Sequence, residues 1–212
     1  MALGTHSSLK TAIGDWTGRK LNAAFAANIP DFIAMAETRI FYGSGDPMQT
    51  PPVRVQDMER TKNIGVVLGS GKLPVNFLEF KRVYWGGSNQ QRLTYVTPRE
   101  FWSATRTGSL PEVMTIEGDK VLVSPAIDGT ISAVYFARYD PLTNNDDTNW
   151  LMANAPAVYL QGALVEAWTW IANFERQQAA LAAYRSAISA LNTQHTMSRT
   201  TGETLRIRGN MW

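Results

Sequence analysis

The chain has 212 residues, 44% of them apolar and 10% aromatic, and carries a formal charge of +2. That is length for one large or two small domains, with enough large side chains to build a core. The near-balanced charge does not call for a nucleic-acid partner, and the lack of cysteine excludes a disulfide framework and a thiolate metal site.

In chain order, residues 1–52 read as helical. Ser7 or Ser8 can cap a helix whose apolar positions Leu9, Ala12, Ile13 and Trp16 fall on one face, with Gly18 as its stop. Met1–Gly18 lacks a basic start followed by an apolar run, so no secretory leader is expected. An alanine-rich bridge, Leu21–Ala27, leads to a second helix with Pro30 in its first turn and Ile33, Ala36 and Ile40 along one side. Gly43–Pro47 ends it, and Pro51-Pro52 marks a boundary.

Residues 53–140 read as a β domain. Alternating or β-branched runs occur at Val53–Asp57, Asn63–Leu68, Phe77–Tyr84, Arg92–Val96, Val113–Ile116, Lys120–Val123 and Thr130–Tyr139. Gly69-Ser70-Gly71, Gly86-Gly87, Gly118-Asp119 and Asp128-Gly129 supply turns, and Gly118-Asp119 is a strong hairpin signal. Pro98–Ala104 predicts a short helix capped by Thr97. Strands at this spacing indicate an antiparallel sandwich or small barrel.

Residues 141–194 begin with a polar loop and continue as two helices, about Ala155–Asn173 and Glu175–Asn192. The richest apolar window, Ala155–Phe174, contains Gln161, Glu166 and Asn173 and reads as a buried helix, not a membrane span. Trp168 and Trp170 point about 200° apart on such a helix, so one of them faces away from the core. Residues 195–212 have too few apolar side chains to pack alone and read as an extended tail. The fold class is therefore α+β. Helices from both chain ends have apolar faces they cannot bury alone, which predicts one bundle with the β domain inserted in its sequence.

No constellation of catalytic residues emerges. Gly65–Lys72 lacks the first glycine of a phosphate loop, which would fall at Val66, and Leu73 stands where Ser or Thr is required. Gly43-Ser44-Gly45 has the wrong spacing for a nucleophile elbow. The two histidines, His6 and His195, lie at opposite ends of the chain, which argues against a metal cluster. Glu117 and Asp119 flank a turn glycine, where Asp serves turn geometry. No metal or cofactor is expected. Exposed aromatics such as Trp85 and Trp102 leave open a second reading, a β-sandwich binding module of the carbohydrate-binding kind.

The tail does carry a pattern. Leu205 and Ile207 alternate with Arg206 and Arg208, Arg199 precedes them and Trp212 follows. A short strand-like run of this kind can add to a partner's sheet edge, with Trp212 as an anchor. These six residues are the candidate site for a partner or a neighbouring subunit.

Several pieces share an order over nearly the whole chain. They are Leu9–Ile13 with Trp16; Ile29–Ile40; Leu73-Pro74 with Asn76–Glu79; Leu93–Pro98; Val121–Pro125; Asn149–Leu151; Pro156 with Tyr159–Leu164; and Leu205–Arg208. In that order the chain resembles the head-to-tail adaptor (connector) proteins of tailed bacteriophages related to tail tubular protein A. Asn76 stands where these proteins commonly have Asp, and residues 43–52 make a longer connection than usual. The resemblance implies a structural, non-enzymatic virion protein made in the host bacterial cytoplasm. It would form a ring of twelve copies in the particle's neck, between the portal protein and a tail tube or nozzle protein. DNA would pass through the channel without specific binding.

Overall fold

A computed structural model describes residues 3–43, 50–86, 91–103 and 106–200, the side chains of 195–200 excepted. The chain forms two compact units, residues 1–57 with 140–212 and residues 58–139, so helices from both ends of the sequence belong to the first.

In that first unit, α1 (His6–Thr17) is capped not by Ser7 or Ser8 but by Thr5, whose extended φ of −135° turns its side chain onto the helix end. The Thr5 hydroxyl accepts from the Ser8 amide at 3.3 Å, and the Ser8 hydroxyl accepts from the Thr5 amide at 3.0 Å, a reciprocal cap. Leu9, Ala12 and Ile13 are buried as the periodicity predicts, and Gly18 closes the helix at φ +67°. Trp16 departs from the pattern and is 58% exposed. The chain folds back beside Gly14, with the Lys20 Cα only 3.3 Å from where a Gly14 Cβ would stand. Gly14 and Thr17 thereby take the covered face of the last turn.

The second helix, α2 (Ala23–Tyr42), begins a full two turns before Pro30. Asn22 accepts from the Phe25 amide at 2.9 Å, so the alanine-rich stretch forms the helix start and is not a bridge. Pro30 deprives the Ala26 carbonyl of its partner. Both residues are exposed, where water can serve that carbonyl. Phe25, Ile29, Phe32, Ile33, Ala36 and Ile40 make the buried face. Val53–Asp57 was expected as a strand. Instead Val53 donates to the Ile40 carbonyl at 2.9 Å, and the Asn192 side chain accepts from the Arg54 amide at 3.3 Å while donating to the Pro52 carbonyl at 3.3 Å. One amide side chain thus supplies the ladder contacts a neighbouring strand would have made, and Gln56–Met58 closes the stretch as a 3-10 turn.

Three helices complete the unit. Asn149 caps α4 (Trp150–Asn154), accepting from the Met152 amide at 2.9 Å; this helix was not foreseen. Next, α5 (Pro156–Trp170) packs on α1, α2 and α6 (Phe174–Thr200). Gly162 makes the approach close, since a Cβ there would stand 3.2 Å from both the Ala36 Cβ and the Tyr184 ring. Beyond the expected end near Asn192, α6 continues to Thr200, because no Gly or Pro interrupts 193–200. Residues 195–200 are therefore helical, not extended. The rest of the expected tail, 201–212, lies outside the described residues.

The second unit is one eight-stranded sheet, ordered β4-β3-β8-β1-β2-β7-β6-β5. Its strands are β1 (Glu59–Val67), β2 (Ser70–Lys72), β3 (Phe77–Trp85), β4 (Gln91–Arg92), β5 (Thr94–Tyr95), β6 (Val113–Glu117), β7 (Lys120–Ser124) and β8 (Gly129–Ala137). Residues 91–95 pair on one side with β3 and on the other with β6, and the Leu93 amide donates to Val83 at 3.1 Å. One run of chain thus draws the two edges of the sheet together into a nearly closed form. The β5–β6 pair is parallel, against the antiparallel expectation, because α3 (Pro98–Ser103) and the segment after it carry the chain back before β6 begins. Thr97 caps α3 as predicted, accepting from the Glu100 amide at 3.3 Å. The two-residue Gly118-Asp119 turn joins β6 to β7, with Glu117 opposite Lys120. Ile64, Val66, Val83, Trp85, Met114, Val121, Val123 and Ile131 fill the interior.

Candidate interaction surfaces

Two polar clusters organise the first unit. The Glu37 carboxylate on α2 is buried, and it accepts from the Leu142 amide at 3.0 Å and from the Tyr159 hydroxyl at 3.4 Å. Tyr159 in turn accepts from the Asn149 side-chain amide at 2.8 Å. One carboxylate therefore holds the polar loop to α2 and α5. Burial raises the Tyr159 pKa above the ordinary tyrosine value, and the Glu37 charge adds to the rise. Nearby, Arg39 pairs with Glu166 between α2 and α5. Burial also raises the pKa of Tyr184, whose hydroxyl has no hydrogen-bond partner.

The second cluster fastens the same loop to the start of α1. The His6 and Ser7 amides donate to the carbonyls of Asp147 at 3.0 Å and Asn145 at 2.9 Å. The Asp147 carboxylate caps the loop by accepting from the amides of Thr143 at 2.8 Å and Asn144 at 2.7 Å, and these amides, Asn144 first, hold its pKa down to about 2. The His6 ring is 2% exposed, with Nδ1 at 3.1 Å from the Asn144 carbonyl. Desolvation depresses its pKa, and Lys10 adds to the depression against the Asn144 carbonyl and Asp147.

Neither cluster is an open site with a nucleophile, and among the described residues no group of three or more His, Cys, Asp or Glu can hold a metal ion. Among the same residues no helix is long and apolar enough to cross a membrane. Glu117 accepts from the Trp102 indole at 2.6 Å, so that carboxylate orients an aromatic ring. Trp102 is 68% exposed, whereas Trp85 is 5% exposed and lies against Gly129. Trp85 is thus a core residue and no part of a sugar platform. Of the tryptophan pair on α5, Trp168 is buried under the Arg176 guanidinium at 4.9 Å. Trp170 is 46% exposed with its edge on Phe25, the division expected from their spacing.

The surface carries its own signal in large apolar side chains left in water. Leu21, Trp170 and Phe174 are exposed in the helical unit, and Val67, Leu68, Val75, Tyr95 and Trp102 in the sheet unit. Sequence periodicity missed Val67, Leu68, Val75 and Tyr95 because they sit at turns and strand ends, whereas Trp102, already expected to be exposed, lies on α3. Of the predicted partner residues, Arg199 lies in the last turn of α6, its side chain outside the described residues. Leu205, Arg206, Ile207, Arg208 and Trp212 also lie outside them.

Compared with known proteins, residues 5–208 match the model of a family described as SU10 adaptor protein. No curated protein matches the chain significantly.

Proposed function

The chain belongs to the SU10 adaptor family, structural adaptors of tailed bacteriophages, and from that premise we propose that it forms the ring joining the portal vertex to the tail. The match over residues 5–208 carries the reading, since it takes in both helical ends, the sheet and the Leu205–Arg208 run together. Twelve copies make the ring, which sits in the neck of the virion between the portal protein and a tail tube or nozzle protein. DNA crosses its channel without specific binding, in keeping with the modest charge of +2, because strong phosphate contacts would retard passage. The protein works as a connector and not as an enzyme. Its parts are the helices of 1–52 and 141–194 as one bundle, the β domain of 53–140, and the C-terminal segment.

That segment is the attachment device. Leu205 and Ile207 fill pockets on the portal or a neighbouring subunit, Arg199, Arg206 and Arg208 meet carboxylates, and Trp212 adds an anchor. Burying two aliphatic side chains contributes roughly 3–6 kcal/mol, and ordering the segment offsets much of this at about 1–2 kcal/mol per residue. A single attachment is then weak, and a ring of them holds through multivalency. Alone, the chain is monomeric or weakly associated.

The test uses portal-bearing heads purified from a phage lacking this gene. Full-length protein is expected to sediment with the heads and appear as a ring at the portal vertex by electron microscopy. Protein lacking Thr201–Trp212 is expected to fold but stay in the supernatant. Equal binding of both forms removes the attachment role of the segment; no binding of either removes the adaptor reading.

A further inference from the structure

The sheet opens at one place. On its β8 side, β3 is paired along its whole length from Phe77 to Trp85. On the other side β4 reaches only Tyr84 and Trp85, and the Leu93 amide adds a bond to the Val83 carbonyl at 3.1 Å. Before Val83 the two edges part. The register of β3 against β8 shifts between Phe77 and Glu79 and again between Phe80 and Arg82, and bulges of this kind bend a strand away from its neighbour. The Thr94 and Val96 amides both donate toward β6 at 2.9 Å, so in this extended run the Tyr95 amide faces β3. It meets no acceptor there among the described residues. The gap is a cleft of about 390 Å³. Phe80, Leu93 and Met114 give it an apolar floor, and Arg82, Arg92 and Tyr95 stand exposed at its rim.

We infer that this cleft binds a short, extended, acidic segment of a partner protein. The charge at the rim says what it takes. Arg92 lies opposite Tyr84, and Arg82, two residues before Tyr84 on the same strand, shares that face, which makes the two arginines diagonal neighbours across the ladder. Neither meets a carboxylate among the described residues, whereas Lys81 beside them is held by Glu59 at 2.7 Å. Two neighbouring cations without an internal counter-charge repel each other, and a carboxylate laid between them relieves that repulsion through charge-assisted bonds from each guanidinium. An extended backbone passing the rim gives the Tyr95 amide its missing carbonyl, and an apolar side chain beside the carboxylates rests on Phe80. The register shifts and Lys81 guard the β3 edge against continuous pairing, so the occupant is a short segment and not the full strand of a second copy. A chain charge of +2 makes nucleic acid the poorer fit, because a strand of phosphates follows a basic track.

The probe is a fluorescein-labelled octapeptide alternating Glu and Val, titrated against the full-length chain by anisotropy. A Lys/Val peptide of the same pattern and a thymidine octanucleotide run beside it. The Glu/Val peptide is expected to bind at least about tenfold more tightly than either, and Arg82→Ala and Arg92→Ala are each expected to weaken it about five- to tenfold. Lys72→Ala removes an exposed charge from β2, in the middle of the sheet, and is expected to leave the affinity unchanged. On the wild-type chain the Glu/Val peptide is expected to slow hydrogen exchange at the Tyr95 amide, a readout that needs no variant to fold. Equal binding of the two peptides, or no binding of the acidic one, overturns the proposal. So does an equal loss for Lys72→Ala, which makes the effect one of net charge, or unchanged exchange at Tyr95 with peptide bound. Tighter binding of the oligonucleotide makes the rim a phosphate site and overturns it too. None of these results bears on the adaptor reading, which stands on the family match.

Discussion

His6 shows how much one side chain can carry without forming a site. A lone histidine reads in the sequence only as evidence against a metal cluster. In the fold it is enclosed between α1 and the loop of residues 143–147 with Lys10 and Asp147 as its charged neighbours. Its pKa is lowered from 6.5, so the folded state prefers the neutral ring. Stability is therefore full above about pH 6.5 and declines as the pH falls through that value toward the depressed one. Melting at pH 7.5 and pH 5.5 should show a loss at the lower pH that His6→Gln reduces; an unchanged pH dependence in the variant contradicts this. Asp147, depressed from 3.8 to about 2, acts in a separate window, its contribution being lost only as the pH falls from about 4 toward 2. Glu37 was legible as a helix residue but not as a buried hub, because its partners Leu142 and Tyr159 lie 105 and 122 residues away. Glu37→Ala strands both donors and should destabilise the protein by about 2–4 kcal/mol in urea unfolding, whereas Glu37→Gln, which keeps an acceptor oxygen for both, should be distinctly milder. Equal effects of the two would show that the contact is not a hydrogen-bonding one.

Among the elements, those with strong periodicity or an unambiguous turn were readable: α1, α5, the β6–β7 hairpin and α3 with its Thr97 cap. The misreadings have local causes. Pro30 resembles a helix start because proline favours the first turn, yet the capping signal was Asn22, and a proline with its orphaned carbonyl in water is tolerated mid-helix. Ser70–Lys72 looks like turn chemistry because it has no apolar alternation, and it becomes β2 through its ladders to β1 and β7. Two substitutions test the account. Pro30→Ala restores the bond to Ala26 and should raise stability by about 1–3 kcal/mol; a decrease would mean that the ring itself packs. Gly162→Val forces two methyl groups between Ala36 and Tyr184 and should cost about 1–3 kcal/mol, read as a lower urea midpoint. No change would show that the α2, α5 and α6 contact is slack.

At the level of the molecule, the order of motifs along the sequence was enough to place the chain in its family, while the candidate attachment residues in 201–212 remain a reading of alternation alone. The surface of the sheet unit was the least legible part. Leu68 looks like the end of an ordinary alternating strand until its φ and exposure are known. The sheet unit has its own interior cluster, from which a fragment spanning residues 58–139 is expected to unfold cooperatively with near-ultraviolet dichroism. A featureless melt would show that this core is insufficient alone.

The pairing of Glu59 with Phe136 has a consequence for how such a chain can change. Facing residues in antiparallel strands have Cα atoms only about 4.5–5.5 Å apart, so the polypeptide departs and returns almost at one point. Seen from the helices, the whole sheet is a long loop with touching ends. A replacement cassette needs to match only that narrow gap, whatever its size or strand count. The helical part can therefore stay fixed in sequence while the inserted part is exchanged, lengthened or trimmed by recombination at two neighbouring positions.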